Sequence, residues 1–416
     1  LGVYPSLALL AYNVGEVRPA TALRSLLVVE LAVLLLLGLL RLVLRDWHRA
    51  AFVTSIWILL AGAYGQAFSL LLDKAPQYAH HAWLTALWVA LGLGLTVWAV
   101  TRPRGSMGRF TPGFNLVAAA LVVYPAFQVS WYYGVLQREQ SAPRTVSAAP
   151  ANESLPDIYY IILDMYTRQD LLKAAYGYDN SGFISDLEAM GFYVAECSAS
   201  NYPRTEASLS TSLNMDYLPE LTDEIPPDTW SRIPMWRLIR NSAVSEKLQA
   251  AGYKTVAFAT GYPWSELNNS DVFLQPHSLF GQLNSFETLL VHTSWARALE
   301  DNDVIDITAE DAARFRERTL FTLDTLPTLA KMSGPKFVFV HIVSPHPPFV
   351  LGPDGPLDAA SYLNENAKYT SQSFAKGYVE QVAAINERME AAVEQIIADS
   401  PVPPVIIIQG DHGPWL

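Results

Sequence analysis

Asp157-Ile158-Tyr159-Tyr160-Ile161-Ile162-Leu163-Asp164 decides how the second half of this chain is read. The run is β-branched and aromatic, carries no charge between its two aspartates, and shows no polar alternation. That pattern fits a strand buried on both faces. Similar runs recur at Tyr253–Ala259, Lys336–Val343 and Pro404–Gln409. A helical pattern over Val244–Ala251 precedes the second run, and a longer one from about Ser373 to Ala398 precedes the last. Strands alternating with helices predict a mostly parallel sheet sandwiched by helices.

Open parallel sheets place their chemistry beyond the carboxyl ends of their strands. The first strand ends in Asp164. The third carries His341 and runs into Ser344-Pro345-His346-Pro347-Pro348-Phe349. The fourth ends in Gly410-Asp411-His412-Gly413. The second, ending Ala259-Thr260-Gly261, brings neither Asp nor His. Singly, each residue has a plain structural role: Asp164 a helix cap, Asp411 a turn residue, His412 a surface histidine, His341 a satisfied core histidine. Together, Asp164, Asp411 and His412 at converging strand ends form an oxygen and imidazole set suited to a divalent metal. Zn or Mn fits best and Mg is also admissible.

Such a site needs a nucleophile. Ser200–Asn214 follows an expected strand at Gly191–Ala195 and turns helical, with Leu209 and Leu213 four residues apart. Thr205 stands where loop becomes helix, a place where threonine also serves as a simple cap. A helix start favours phosphate and developing negative charge. Ser208, Ser210, Thr211 and Ser212 remain rivals on sequence alone.

The first half is of another kind. The chain as a whole is 51% hydrophobic and 16% charged, and long apolar runs dominate residues 1–136. Ser25–Leu44, Ala50–Leu72, Ala82–Thr101 and Pro112–Trp131 are long enough to cross a bilayer of about 30 Å. With a short first helix in Leu1–Tyr12, read as truncated, five helices are expected. Arg41, Arg45, His48 and Arg49 lie in one connection and Arg102, Arg104 and Arg109 in another, whereas Asp73–His81 holds only Lys74. The positive-inside rule puts both arginine clusters in the cytoplasm, with Arg18 and Arg24 as the counter-indication. The fifth helix then leads outward. Tyr124, Trp131, Tyr132 and Tyr133 suit an interfacial belt, and residues 137–156 read as a tether before a catalytic domain at 157–416. The net charge of −12 gives no electrostatic attraction to nucleic acid. One cysteine, Cys197, excludes an internal disulfide.

The order of these pieces resembles the alkaline phosphatase superfamily in its sulfatase-like branch. More closely, it resembles membrane-bound lipoteichoic acid synthases and lipid A phosphoethanolamine transferases, which place about five membrane helices before an extracytoplasmic catalytic domain. The resemblance implies an alkaline phosphatase-like domain with Asp164, Thr205, Asp411 and His412 as metal ligands and Thr205 as nucleophile. It implies roles for His346, and for His341, at the substrate phosphate. It further implies a phospholipid donor, a glycan or lipid acceptor, and a bacterial-type cytoplasmic membrane. A hydrolase of phosphate or sulfate esters and a non-catalytic binding protein of the same fold are the alternatives. Cys197, in Cys197-Ser198-Ala199-Ser200, lacks the setting of a sulfatase nucleophile. The disulfides of the phosphoethanolamine transferases have no counterpart. The start at Leu1 and the end at Leu416, soon after His412, read as a chain cut at both ends.

Overall fold

The computed structural model describes all residues except 15–16, 18, 104–105, 141–154, 222–232, 263–264, 277–282, 303, 364–367 and 415–416. Arg18, Arg104 and most of the expected tether lie outside the described residues. The chain divides into two compact units. The first comprises Leu1–Pro143 with Gly281–Ile307, and the second Arg144–Phe280 with Thr308–Leu416.

In the first unit, a short α1 (Tyr4–Tyr12) precedes α2 (Leu23–Leu44), α3 (Trp47–Lys74), α4 (His81–Thr101) and α5 (Thr111–Gln140). Among the described residues, four segments are long and apolar enough to cross a membrane: Pro19–Leu44, Trp47–Lys74, His81–Thr101 and Thr111–Gly134. The expected spans are therefore present, and α1 is the short fifth helix. Leu27, Val28, Leu31, Leu34, Leu35 and Leu39 of α2 are all exposed. A contiguous apolar surface of that size is at home in lipid and not in water. Asp46 starts α3 by accepting the backbone N–H groups of His48 and Arg49. Gly281–Ile307, which sequence alone leaves inside the globular half, packs here through α12 (Ser285–Thr293) and α13 (Arg297–Glu300).

The second unit is built on a five-stranded sheet, β1 (Ile158–Leu163), β2 (Lys254–Phe258), β3 (Val272–Leu274), β4 (Lys336–Ile342) and β7 (Val405–Gly410), in the order β3-β2-β4-β1-β7. Every pairing in it is parallel. A separate two-stranded hairpin joins β5 (Leu351–Gly352) to β6 (Gly355–Pro356). Helices α6 (Gln169–Tyr176), α7 (Ser181–Ala189), α8 (Thr205–Asn214), α9 (Leu218–Leu221), α10 (Ile233–Arg240), α11 (Ala243–Ala250), α14 (Ile307–Thr325) and α15 (Ser371–Asp399) complete it.

β4 is buried at every position, which accounts for its unbroken apolar sequence. One face of the sheet, with Tyr159, Ile161, Leu163, Val338, Val340 and Ile342, packs into a core shared with α14 and α15. α15 contributes Ile385, Met389, Val393 and Ile396, a stripe at helical spacing. It starts with a capping box between Thr370 and Ser373 and gives way to Pro401 just beyond its end.

The expected strand at Gly191–Ala195 does not form. Gly191 has φ +94 and stands just past the end of α7. The N–H of Phe192 donates to the Leu187 carbonyl at 3.0 Å and that of Gly191 to Glu188 at 2.9 Å. These bonds satisfy the last carbonyls of α7, so the segment closes a helix and does not extend a sheet. β3, only three residues long, has too little pattern to be read from sequence.

At the amino-terminal edge of the sheet, Lys336 and Asp157 form a buried ion pair, at 1% and 8% exposure. Asp157 also accepts the backbone N–H of Lys336 at 3.2 Å and, through its carbonyl, that of Val405 at 2.8 Å. This pair ties β1, β4 and β7 together. Lys336→Met leaves the carboxylate buried without its counter-charge and is expected to cost about 3–5 kcal/mol. Thermal unfolding followed by circular dichroism checks this, and adding Asp157→Leu should recover most of the loss.

Candidate metal centre

The register of the sheet brings the candidate residues together. Leu163 stands opposite both Ile342 and Gly410. One step further along, Asp164 and Asp411 are therefore level. Ile162 pairs with His341. Side chains alternate along a strand, so His341, two positions short of that level, shares the face of Asp164. Asp164, His341 and Asp411 are all buried, and each offers a ligand atom within 4.8 Å of the others.

The distances fill in the group. His341 Nε2 lies 3.4 Å from Asp164 Oδ2. His412 Nε2 lies 3.8 Å from Asp164 Oδ1 and 3.6 Å from Asp411 Oδ2. Thr205 Oγ1 is 3.2 Å from His412 Nε2. His412 Nδ1 faces the Gly413 carbonyl at 2.8 Å. Where Nδ1 donates to that carbonyl, Nε2 is left as a lone-pair donor toward the carboxylates. Asp164 Oδ1 and Asp411 Oδ2 are buried and accept no hydrogen bond. Buried carboxylate oxygens are costly when unsatisfied, and a cation between them removes that cost. The residues present thus fit a divalent metal, with His341 joining the oxygen ligands on the same face.

The two carboxylates are driven in opposite directions. Burial raises Asp411 above the ordinary carboxylate value, and the charge of Asp164 adds to it, outweighing His341, His412 and Thr205. Burial acts likewise on Asp164, but the hydrogen bond to His341 and the fields of His341, His346 and His412 outweigh it and hold that carboxyl low. A pair split in this way is common at functional sites.

Thr205 is set apart from its rivals. It is the first residue of α8, where Arg204 occupies the cap position without a side-chain bond. Thr205 therefore does not cap the helix, and its hydroxyl faces the metal group. Ser210 and Thr211 return their hydroxyls to the Ala207 carbonyl at 3.1 and 2.8 Å. Ser212 hydrogen-bonds Tyr160. Ser208 is buried. His346 is half-buried. Its backbone N–H donates to the Asp164 carbonyl at 3.2 Å, and its Nδ1 faces the Pro347 carbonyl at 2.7 Å.

Sequence reading missed the groups that hold Asp411 in place. Met165 has φ +65, unusual for a residue with a side chain. That turn aims its N–H at Asp411 Oδ1, 3.0 Å away, where the N–H of His412 also donates at 2.9 Å. The Met165 carbonyl accepts the Tyr378 hydroxyl at 2.7 Å, and the same hydroxyl accepts the Thr167 N–H at 3.2 Å. Gly410 lets β7 come close here: a Cβ at that position would lie 2.2 Å from the Tyr166 carbonyl oxygen. Tyr378→Phe strands the buried Met165 carbonyl. The expected cost is about 1–3 kcal/mol of stability. Metal affinity should fall about 10-fold, as for other groups that orient a ligand. Titration calorimetry with Zn²⁺ and Mn²⁺ checks it.

No protein-family model, curated protein or solved structure matches the chain.

Proposed function

We propose that the chain is a membrane-anchored, metal-dependent phosphotransferase of the alkaline phosphatase type. It moves a phosphoglycerol or phosphoethanolamine group from a phospholipid donor to a cell-envelope glycan or lipid through a phospho-threonine intermediate. The observation that carries this reading is the position of Thr205. Its hydroxyl lies at the start of α8, 3.2 Å from His412 Nε2, and hydrogen-bonds Asp411 of the buried Asp-His-Asp group.

Asp164, Asp411, His412 and Thr205 would hold the cation, with His341 as a further ligand on the same face. When bound, the cation supplies Lewis-acid charge that favours the ionised threonine hydroxyl and offsets charge on the phosphoryl oxygens. Thr205 Oγ1 forms the new bond to phosphorus, and the bond from phosphorus to the lipid alcohol breaks. The hydroxyl proton leaves to water, and His346 delivers a proton to the departing alkoxide. The N–H groups at the start of α8 would steady the phosphoryl oxygens. An acceptor hydroxyl then attacks the phospho-threonine and frees Thr205. The arginines at the α2–α3 connection and at the end of α4 support an extracytoplasmic catalytic unit in a bacterial-type cytoplasmic membrane.

The test uses the full chain in vesicles of head-group-labelled phosphatidylglycerol or phosphatidylethanolamine, with and without an acceptor. Label on the Thr205 peptide, chased by acceptor, supports transfer. Label released to water alone identifies a hydrolase on the same residues. No turnover and no labelled Thr205 with any donor, in a metal-loaded protein, would count against both.

A further inference from the structure

Gly281–Ile307 sits between two stretches of the globular unit in sequence, yet packs with the membrane helices. We propose that Asn284–Asp301 is a re-entrant membrane segment. It enters the bilayer from the face where α2 and α4 begin, reaches its deepest point at Trp295, and leaves by the same face. Its partner is the lipid bilayer, at the boundary of head groups and acyl chains. The inference rests on the membrane reading of α2 to α5 and is independent of the chemistry proposed for the globular unit.

Both ends of the segment are fixed on one side. Asn284 Nδ2 donates to the Thr21 carbonyl at 2.9 Å, and Glu287 forms an ion pair with Arg24 in the first turn of α2. At the other end, Asp301 Oδ2 lies 2.8 Å from Nε2 of His81, the first residue of α4. Between these points the chain goes deep. The Trp295 N–H donates to the Ala61 carbonyl at 2.8 Å. Ala61 lies about 10 Å along α3, at 1.5 Å per residue, from Phe68, whose ring stacks on His81 at the start of α4. The Trp295 ring stacks on those of Trp57 and Tyr64, with centroids 6.3 and 5.8 Å away. From there the chain climbs along α3, where Arg297 Nη1 reaches the Gly65 carbonyl at 3.3 Å and Ser69 Oγ at 2.5 Å.

The break between α12 and α13 is built as lipid requires. Water would satisfy the backbone of a broken helix, whereas hydrocarbon offers no partners. Here the N–H groups of Ser294, Trp295 and Arg297 donate to Val291, Ala61 and Ser294, and that of Ala296 donates to Ser294 Oγ. Close approach to α3 depends on Gly65, where a Cβ would lie 2.1 Å from the His292 carbonyl oxygen. The charges are paired: Glu287 with Arg24, His292 with Glu300, and Asp301 with both Arg297 and His81. Pairing is the rule for ionisable groups at membrane depth.

Nitroxide labels on single cysteines test the proposal in the full chain, with Cys197→Ser as background, reconstituted into phosphatidylcholine and phosphatidylglycerol vesicles. His292 and Leu299 are exposed within the segment, the latter at 48%. Leu35 on α2 is the lipid reference, and Asp354 in the globular unit is the aqueous one. Collisions with oxygen relative to a nickel chelate should be several-fold higher at 292 and 299 than at 354, and below the ratio at 35. Val304, beyond the segment, should resemble Asp354. Should His292→Cys fail to fold, Leu299→Cys is read alone, since its side chain closes no ion pair. Ratios at Leu299 equal to those at Asp354 would overturn the proposal.

Discussion

Thr205→Ala is expected to lower turnover by about 10⁴- to 10⁶-fold, the range seen when a nucleophile is removed from a site that works as a unit. Metal should still bind, because Asp164, His341, Asp411 and His412 remain in place. The bound cation should be held less tightly, since one oxygen ligand is gone. Head-group transfer from labelled vesicles measures the first effect, and calorimetry the second. Thr205→Ser keeps an oxygen on the same Cβ and should retain part of the activity. Ser210→Ala and Thr211→Ala touch hydroxyls bonded to the Ala207 carbonyl and should leave turnover within a few-fold. A Thr205→Ala protein that transfers at the unmodified rate would remove the proposed nucleophile.

Asp411→Asn should have two effects of opposite sign. Metal affinity falls by more than about 100-fold, beyond the loss typical when an outer partner is removed. The metal-free fold, by contrast, becomes more stable at neutral pH. The reason lies in linkage. Asp411 is held above its ordinary value by burial and by Asp164, so the folded chain binds its proton more tightly than the unfolded chain does. Its contribution is favourable below the unfolded value of 3.8 and is lost as pH rises through the raised folded value. Above the unfolded value the metal-free fold bears the cost of holding this carboxyl where burial and Asp164 disfavour its charge. Asparagine removes that charge while its Oδ1 can still accept the N–H groups of Met165 and His412. Asp164 shifts downward, so its own window lies below 3.8 and does not overlap. Melting temperatures of metal-free and Zn²⁺-loaded protein between pH 4 and pH 8 check the sign. The metal-free midpoint should fall as pH rises, and metal should reverse the trend.

Much of the site can be read from sequence because parallel strands project it onto one edge. Asp164, His341 and Asp411 follow apolar runs whose ends are set by burial, and the register of β1 with β4 and β7 does the rest. His341 was open to a core or a phosphate-binding role. Only the register puts it on the face of the two carboxylates. The clamp of Tyr378 on Met165 links positions far apart in sequence through a left-handed turn, and nothing local announces it. Gly191–Ala195 misled because its aromatic and β-branched composition suits a strand, while the glycine conformation closes α7. Ser285–Glu300 falls inside the stretch 157–416 expected to be globular. Its place among the membrane helices depends on charge pairs with Arg24 and His81, which no periodicity encodes.

Asp164, Asp411, His412 and Thr205, with His341 beside them, are proposed to surround a divalent cation. Anomalous diffraction from crystals of the full chain, recorded on either side of the zinc and manganese absorption edges, tests it most directly. One strong peak is expected about 2.0–2.3 Å from the carboxylate oxygens of Asp164 and Asp411 and from Nε2 of His412. Fully metal-equilibrated crystals with no peak there, or with Asp164 and Asp411 hydrogen-bonded to each other through a shared proton, would contradict it.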